Sequence, residues 1–349
     1  MILWNKSKKG VGRMNNFKQW FLCMAIMGFS SLYALDTQLM NLVSEYKKNG
    51  INAIESKLEG YLTNKEYWAE YLKENATEYG YFENLRFLFV SNKTAPSLTL
   101  YELQNAKLKE LGTSSALVAK GKGNKKKEGD LTTPIGSYDL NARLTGLDQY
   151  YGPLAFSTSY PNVYDRSLKK TGGGIWIHGL PLNGNREELN TRGCIAIDNE
   201  ILKKYDKLID WKKTMLITYE DKFKAASIDE LALVLASLYQ WKSVWQKSDL
   251  ATYLSFYDEQ NFYRPDGMSF KAFREHKKNV FAKNEAKNIR ISDINVSIYP
   301  NEEHRNMYRI SFMQDYKAYL NGKISFSSVG IKDMYVLVEN GKVKILSEQ

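Results

Sequence analysis

The chain is poor in the side chains that most often do chemistry: three histidines and two cysteines in 349 residues. With His178, His276 and His304 as the whole supply, no metal site of ordinary ligand count is visible, and no cofactor motif stands out. His276 and His304 sit in polar, charged surroundings and read as surface residues. Long apolar runs are also missing. The stretch WFLCMAIMGFSSL at 20–32 has thirteen residues, short of the roughly 20 that span a bilayer. There is no internal repeat and no long low-complexity segment, and 43% hydrophobic with 25% charged residues describes a globular chain.

The short apolar run follows Lys18 and ends near Ala34, the pattern of a basic n-region, an h-region and a small residue before cleavage. Residues 1–34 therefore read as an export signal, with Met14 as an alternative start and a retained N-terminal anchor as the competing reading. Export implies a periplasmic location and no stable membrane insertion after cleavage. The signal carries five basic residues and no acids, so the net charge falls from +10 to +5 on its removal. That excess is too mild and scattered for nucleic acid, but it suits a carboxylate-bearing polymer or peptide. Cys23 leaves with the signal, and Cys194 becomes a lone thiol in an exported chain. Such a thiol is either an intermolecular link or a reactive group.

Three regions follow. Residues 35–83 show short helical patterns: Asp36 as a cap, Leu39, Leu42, Val43 and Tyr46 on one face, Gly50 as a stop, and Thr63 with Glu66 as a capping box. Residues 84–222 are mostly β, with strand-like runs at 88–90, 98–103, 115–119, 135–139 and 215–219, and one helix capped by Asp198. Residues 226–349 begin with a long amphipathic helical stretch over 228–257. Strands at 291–298, 308–320, 324–329 and 334–346 follow, with Asn321-Gly322 and Asn340-Gly341 as hairpin turns. The fold class is multidomain α+β, with the last region a separate α+β domain. Trp241, Trp245 and Tyr253 have helical spacing and read as core rather than as a glycan pocket.

The scarce residues meet in WIHGLPLNGNREELNTRGCIAI, 176–197. In GIWIH, Ile175 and Ile177 face one way while Trp176 and His178 face the other. In CIAI, Cys194 and Ala196 lie opposite Ile195 and Ile197. His178 ends one strand and Cys194 begins the next, so pairing of the two strands would bring imidazole and thiol to one edge. A free thiol, with a pKa of roughly 8.5, is mostly protonated near neutrality, and a neighbouring imidazole converts it to a nucleophilic thiolate. The Cys194 amide and that of Gly193 are candidate oxyanion donors, and glycine at 193 allows close approach of a substrate. Alone, either residue would read as core filling. Together, with the only exported thiol directly after Arg-Gly, they read as a cysteine–histidine site. KGKGNKKKEG (120–129) lacks Walker spacing and reads as a mobile basic loop near an acidic substrate. Gly172-Gly173-Gly174 reads as a flexible entry to the following strand.

The frame IHG…TRGCIAI, preceded by GDLTTPIGSY (129–138), resembles the L,D-transpeptidase catalytic domain (YkuD) family over about 84–222. The resemblance implies Cys194 as nucleophile, His178 as base and the carbonyl of Gly179 as the group that orients the histidine. It implies peptidoglycan stem peptides as substrate, cut between the L-centre of a diamino acid and D-alanine, with no cofactor. Trp176, Thr191, Arg192 and Gly193 are the candidate substrate-binding residues, Arg192 standing where many members have histidine. With helices before it and a region similar to the NTF2-like fold after it, the chain resembles the periplasmic L,D-carboxypeptidases that set helical cell shape in curved Gram-negative bacteria. The expectation is removal of the terminal D-alanine from tetrapeptides. A cross-linking or protein-attaching transpeptidase is the alternative, and the oligomeric state, a homodimer included, stays open.

Overall fold

The computed structural model describes residue 37 and residues 39–184 and 190–349. The export segment, Met14, Cys23 and Asp36 lie outside the described residues. Among the described residues no helix is long and apolar enough to cross a membrane. The chain divides between Tyr61 and Leu62 into two compact units.

The first unit is helical. Helix α1 covers 39–49 and ends at Gly50, whose φ of +76° suits a residue without Cβ and whose amide returns to the Tyr46 carbonyl at 2.9 Å. Helix α2, Ile51–Leu62, buries none of its residues. Leu39, Met40, Val43, Tyr46, Ile51 and Leu58 are exposed, so the apolar face read from the sequence is present and uncovered within this unit.

The second unit opens with α3, Lys65–Tyr71. Its N-cap is Asn64, whose side chain accepts from the Tyr67 amide at 2.9 Å, and not the Thr63 of the expected capping box. Eight strands then close into a barrel: β2 (Phe87–Asn92), β3 (Ser97–Gln104), β4 (Lys107–Leu117), β5 (Gly136–Leu144), β6 (Ala155–Thr158), β7 (Trp176–His178), β8 (Ile195–Ile197) and β9 (Thr214–Tyr219). Their order is β2-β3-β4-β8-β7-β6-β5-β9. Phe89, Leu100, Phe156, Ile177, Ile195 and Leu216 are among the side chains filling the interior. Helix α5 (Asn199–Leu208) flanks the barrel and starts at Asp198, which accepts from the Glu200 and Ile201 amides, while helix α4 (Val163–Ser167) packs through Val163 against Tyr299 and Tyr335 of the C-terminal region.

The C-terminal region adds α6 (Ile228–Gln246), α7 (Leu250–Ser255) and α8 (Phe270–Phe281). Strands β10 (Ala286–Ile298), β11 (Met307–Leu320), β12 (Lys323–Glu339) and β13 (Lys342–Glu348) form its antiparallel sheet. Asn321, Gly322, Asn340 and Gly341 all have positive φ, as two-residue hairpin turns require. Trp241 and Tyr253 are fully buried and Trp245 nearly so, as core packing predicts.

One sequence expectation is corrected here. Gly80–Phe82, inside the segment read as helical, is a strand (β1) that forms an edge of the C-terminal sheet by pairing with β10. The C-terminal domain shares a core with the barrel. Strands β2 and β9 are buried on both faces: Phe89 and Leu216 point into the barrel, while Leu88, Val90, Met215 and Ile217 join a core shared with Trp68, Leu72, α6 and the C-terminal sheet. Arg309 of β11 reaches Asp139 of β5 at 2.6 Å and Asp333 of β12 at 2.9 Å. Burial works against its charge, but the two carboxylates outweigh that and hold its pKa well above the ordinary value.

Candidate active site

Strands β7 and β8 are adjacent and parallel, with Ile177 opposite Ile195 and His178 opposite Ala196. The sequence reading placed His178 and Cys194 at the joined ends of a strand pair. The structure places them on one face of parallel neighbours, offset by two residues. Strand spacing and rise put such diagonal positions about 8 Å apart at Cα. The connection between them is a crossover, and its residues 185–189 lie outside the described residues. The alternation itself holds, since Ile177, Ile195 and Ile197 fill the barrel.

Cys194 is the one free cysteine among the described residues, and it is partly exposed. Its Sγ accepts from the Trp176 amide at 3.4 Å and can donate to the Gly174 carbonyl at 3.4 Å. One contact favours the thiolate and the other fixes the thiol. The sulfur is thereby held in either protonation state. His178 is buried, and its Nδ1 lies 2.7 Å from the Gly179 carbonyl oxygen. A carbonyl only accepts, so Nδ1 carries the proton of the neutral ring and Nε2 is its basic nitrogen. The Tyr151 ring stands nearly perpendicular to the imidazole, 5.2 Å away.

Gly179 is where it is because nothing larger fits. A Cβ there would lie 2.1 Å from Asn199 Oδ1 and 2.9 Å from Pro153 Cδ. Asn199, the first residue of α5, accepts from the Leu180 amide at 2.8 Å and donates to the Leu180 carbonyl at 3.0 Å. The Gly179 amide donates to the Tyr151 carbonyl at 3.0 Å. Asn199 and Tyr151 thus fix the turn that orients the histidine, and sequence reasoning passed over both. The only signal for Asn199 is its place beside the helix cap.

The candidate substrate-binding residues separate. Trp176 is half-buried, with its ring 5.1 Å from that of Tyr151. Arg192 is exposed, next to Cys194. Thr191 is buried instead, its hydroxyl donating to the Cys194 carbonyl at 2.6 Å and accepting from the Gly193 amide at 3.2 Å. Thr191 therefore shapes the loop that carries Cys194 rather than meeting solvent. The Gly193 amide is turned into the same loop, not toward an oxyanion. Glycine at 193 answers to its φ of +149° and to Ile175, which a Cβ would approach to 2.7 Å.

The basic loop is not the mobile element expected of it. Lys125 is buried and its ammonium bonds Asp130 at 2.6 Å. Burial alone would raise the Asp130 pKa, but donation from Lys125 and from the Lys127 and Lys126 amides outweighs it and holds the carboxyl well below its ordinary value. Asp130 belongs to the GD…TP-G segment, so that segment ties the loop down. Among the described residues no group of three or more His, Cys, Asp or Glu side chains is placed to hold a metal ion.

This arrangement coincides with known families. Residues 86–216 match the L,D-transpeptidase catalytic domain, residues 35–73 the cell-shape determining Csd6 N-terminal dimerization domain, and residues 233–349 the Cds6 C-terminal NTF2-like domain. The chain is 41% identical to a variant of the helical cell shape determining protein Pgp2 from Campylobacter jejuni, with a TM-score of 0.78 over 83% of this chain and 99% of that one. The chain belongs to that L,D-transpeptidase-fold family. A second Pgp2 structure gives 42% identity and a TM-score of 0.76, covering 82% of this chain and 99% of that one. Bd1075 of Bdellovibrio bacteriovorus gives 27% and 0.58, covering 76% and 92%. The comparison with curated proteins gives no match. Membership identifies an enzyme of the L,D-transpeptidase and peptidase type, related to a cell-shape determinant.

Proposed function

We propose that the protein is a periplasmic L,D-carboxypeptidase that removes the terminal D-alanine from peptidoglycan tetrapeptide stems and so affects cell shape. The observation that carries the chemistry is the 2.7 Å contact between His178 Nδ1 and the Gly179 carbonyl oxygen. With Nδ1 committed to the Gly179 carbonyl, Nε2 faces the work of moving protons, on the same sheet face as Cys194 Sγ. The Cys194 thiolate attacks the carbonyl carbon between the diamino acid and D-alanine, and the Trp176 amide stabilises that thiolate beforehand. As the C–N bond breaks, the imidazolium gives its proton to the departing amine. A thioester remains. Water, deprotonated by Nε2, adds to it, the C–S bond breaks, and the tripeptide carboxylate leaves with the thiol regenerated.

The first half serves hydrolysis and transpeptidation equally, so the choice rests on what reaches the thioester. Resemblance to shape-determining carboxypeptidases favours water. Purified tetrapeptide muropeptides should lose one D-alanine and accumulate as tripeptides, read by product mass. Dimers joined between two diamino acids, or exchange of the terminal residue without net loss, would make the protein a transpeptidase instead. A homodimer through α1 and α2 completes the reading, supported by the exposed apolar residues of that unit and its match to a dimerization domain.

Arg192 is assigned to a substrate carboxylate, because an exposed guanidinium beside the nucleophile matches that planar anion. Arg192→Lys should raise KM on the order of tenfold, the loss of about one charge-assisted hydrogen bond, while alkylation of Cys194 is unchanged. Unaltered kinetics would return Arg192 to the surface.

A further inference from the structure

The loop 120–131 touches the site at one end and the C-terminal region at the other. At the site end, the Lys125 side chain is a wedge behind the nucleophile. Its Cε lies 3.3 Å from where a Cβ on Gly172 would be, and its Nζ 3.9 Å from where a Cβ on Gly193 would be. Those glycines belong to the two segments that hold the sulfur. Gly172 leads into Gly174 and Trp176, the backbone partners of Sγ, and Gly193 precedes Cys194 itself. The wedge is fixed from both sides: its ammonium by Asp130 and the Lys127 carbonyl, its own carbonyl by the Tyr160 hydroxyl at 3.4 Å.

At the other end stands Glu302, in the connection between β10 and β11. Its Oε1 accepts from the Asn124 amide at 2.8 Å, and its Oε2 lies 3.5 Å from Lys126 Nζ. These contacts bracket Lys125 in sequence. Asn124 is itself buried and exchanges two hydrogen bonds with the Ile135 backbone, at 3.1 and 2.9 Å. Glu220 accepts from the Gly123 amide at 2.6 Å, and the buried Lys93 ammonium donates to the Gly123 carbonyl. The barrel side of the loop is thus held by barrel residues, and Glu302 is the contact to Asn124 and Lys126 that comes from the C-terminal region.

We propose that Glu302 is a positioning residue for Cys194: through residues 124–126 it seats the Lys125 wedge against the segments that hold the sulfur, so the C-terminal region sets the reactivity of a thiol it never touches. This rests on Cys194 being the nucleophile, as proposed above, but not on which bond is cut. A wedge displaced by a fraction of an ångström loosens the Trp176 amide and the Gly174 carbonyl around the sulfur, with little change in the core.

The test uses the full chain and two readouts. One is the rate of iodoacetamide alkylation of Cys194 across roughly pH 5 to 9, where thiolate fraction sets the rate, followed by intact mass. The other is kcat and KM for D-alanine release. Glu302→Ala should slow alkylation and lower kcat about tenfold with KM little changed, since misplacement costs rate. Glu302→Gln keeps an acceptor for the Asn124 amide and should recover most of the loss. Wild-type alkylation and kcat in a folded Glu302→Ala protein overturn the proposal, and so does a change confined to KM, which would make Glu302 a binding residue. If Glu302→Ala fails to fold, Lys125→Met tests the near end: slower alkylation supports the wedge, and an unchanged profile overturns it. The alkylation arm needs no stem peptide, so it stands even if the carboxypeptidase reading fails.

Discussion

Cys194→Ala is expected to abolish release of D-alanine, by at least about 10⁴-fold on the scale of triad deletions in other hydrolases, while the protein stays folded. The sulfur is partly exposed, and the Trp176 amide and Gly174 carbonyl that meet it at 3.4 Å are backbone groups, so its removal leaves no large cavity. The stability change should be within about 1 kcal/mol, the range of ordinary surface substitutions. His178→Ala should lose nearly as much activity, because a thiol without its base and a base without its thiol are the same failure. The double variant should therefore be no worse than Cys194→Ala alone. His178 is buried, so its removal opens a cavity and the comparison belongs well below the melting temperature. Product masses after incubation with tetrapeptide muropeptides decide the matter. Any D-alanine release by the Cys194→Ala protein above the uncatalysed level removes this thiol from the mechanism.

The candidate pair, His178 and Cys194, stood out in the sequence because both residues are rare and because period-two alternation puts them on the polar side of their strands. The two Asn-Gly turns were legible for a similar reason, since their backbone demands leave few alternatives. What escaped depends on contacts distant in sequence. Parallel pairing of β7 with β8 carries no local mark, because alternation looks the same for either direction. Strands β2 and β9 break the alternation by being apolar on both faces, and a run such as FLFV does not say what its second face meets. The role of Lys125 was hidden by composition. In KGKGNKKKEG it is one basic residue among several, and only the fold shows that Asp130 and Tyr160 bury it while Lys126 and Lys127 stay exposed. The Glu302 contact with Asn124 spans 178 positions and has no local signal at all.

The chain truncated after Lys224 is expected to lose its fold, and with it all activity, even though every candidate catalytic residue remains. The sequence favoured a separable last domain because its helices come first and an antiparallel sheet of its own follows. The shared core argues otherwise. Truncation strips cover from Leu88, Val90, Met215 and Ile217, whose exposures in the whole protein are 0%, 6%, 3% and 0%. Fully exposing four such side chains costs on the order of 1.5–3 kcal/mol each. That sum is comparable with the 5–15 kcal/mol that stabilises a typical folded protein. Further losses come from β1, which has its ladder partner only in β10, and from Ser137, whose hydroxyl donates to the Ile298 carbonyl at 2.6 Å. Asp139 loses the buried guanidinium of Arg309. The truncated chain should show no cooperative thermal transition, should bind a hydrophobic dye, and should alkylate like an unfolded thiol. A cooperative melt with Cys194 alkylation matching the full chain would instead make the barrel an independent domain. It would also leave Glu302 no means of acting on the thiol, since its contact with Asn124 would then be dispensable.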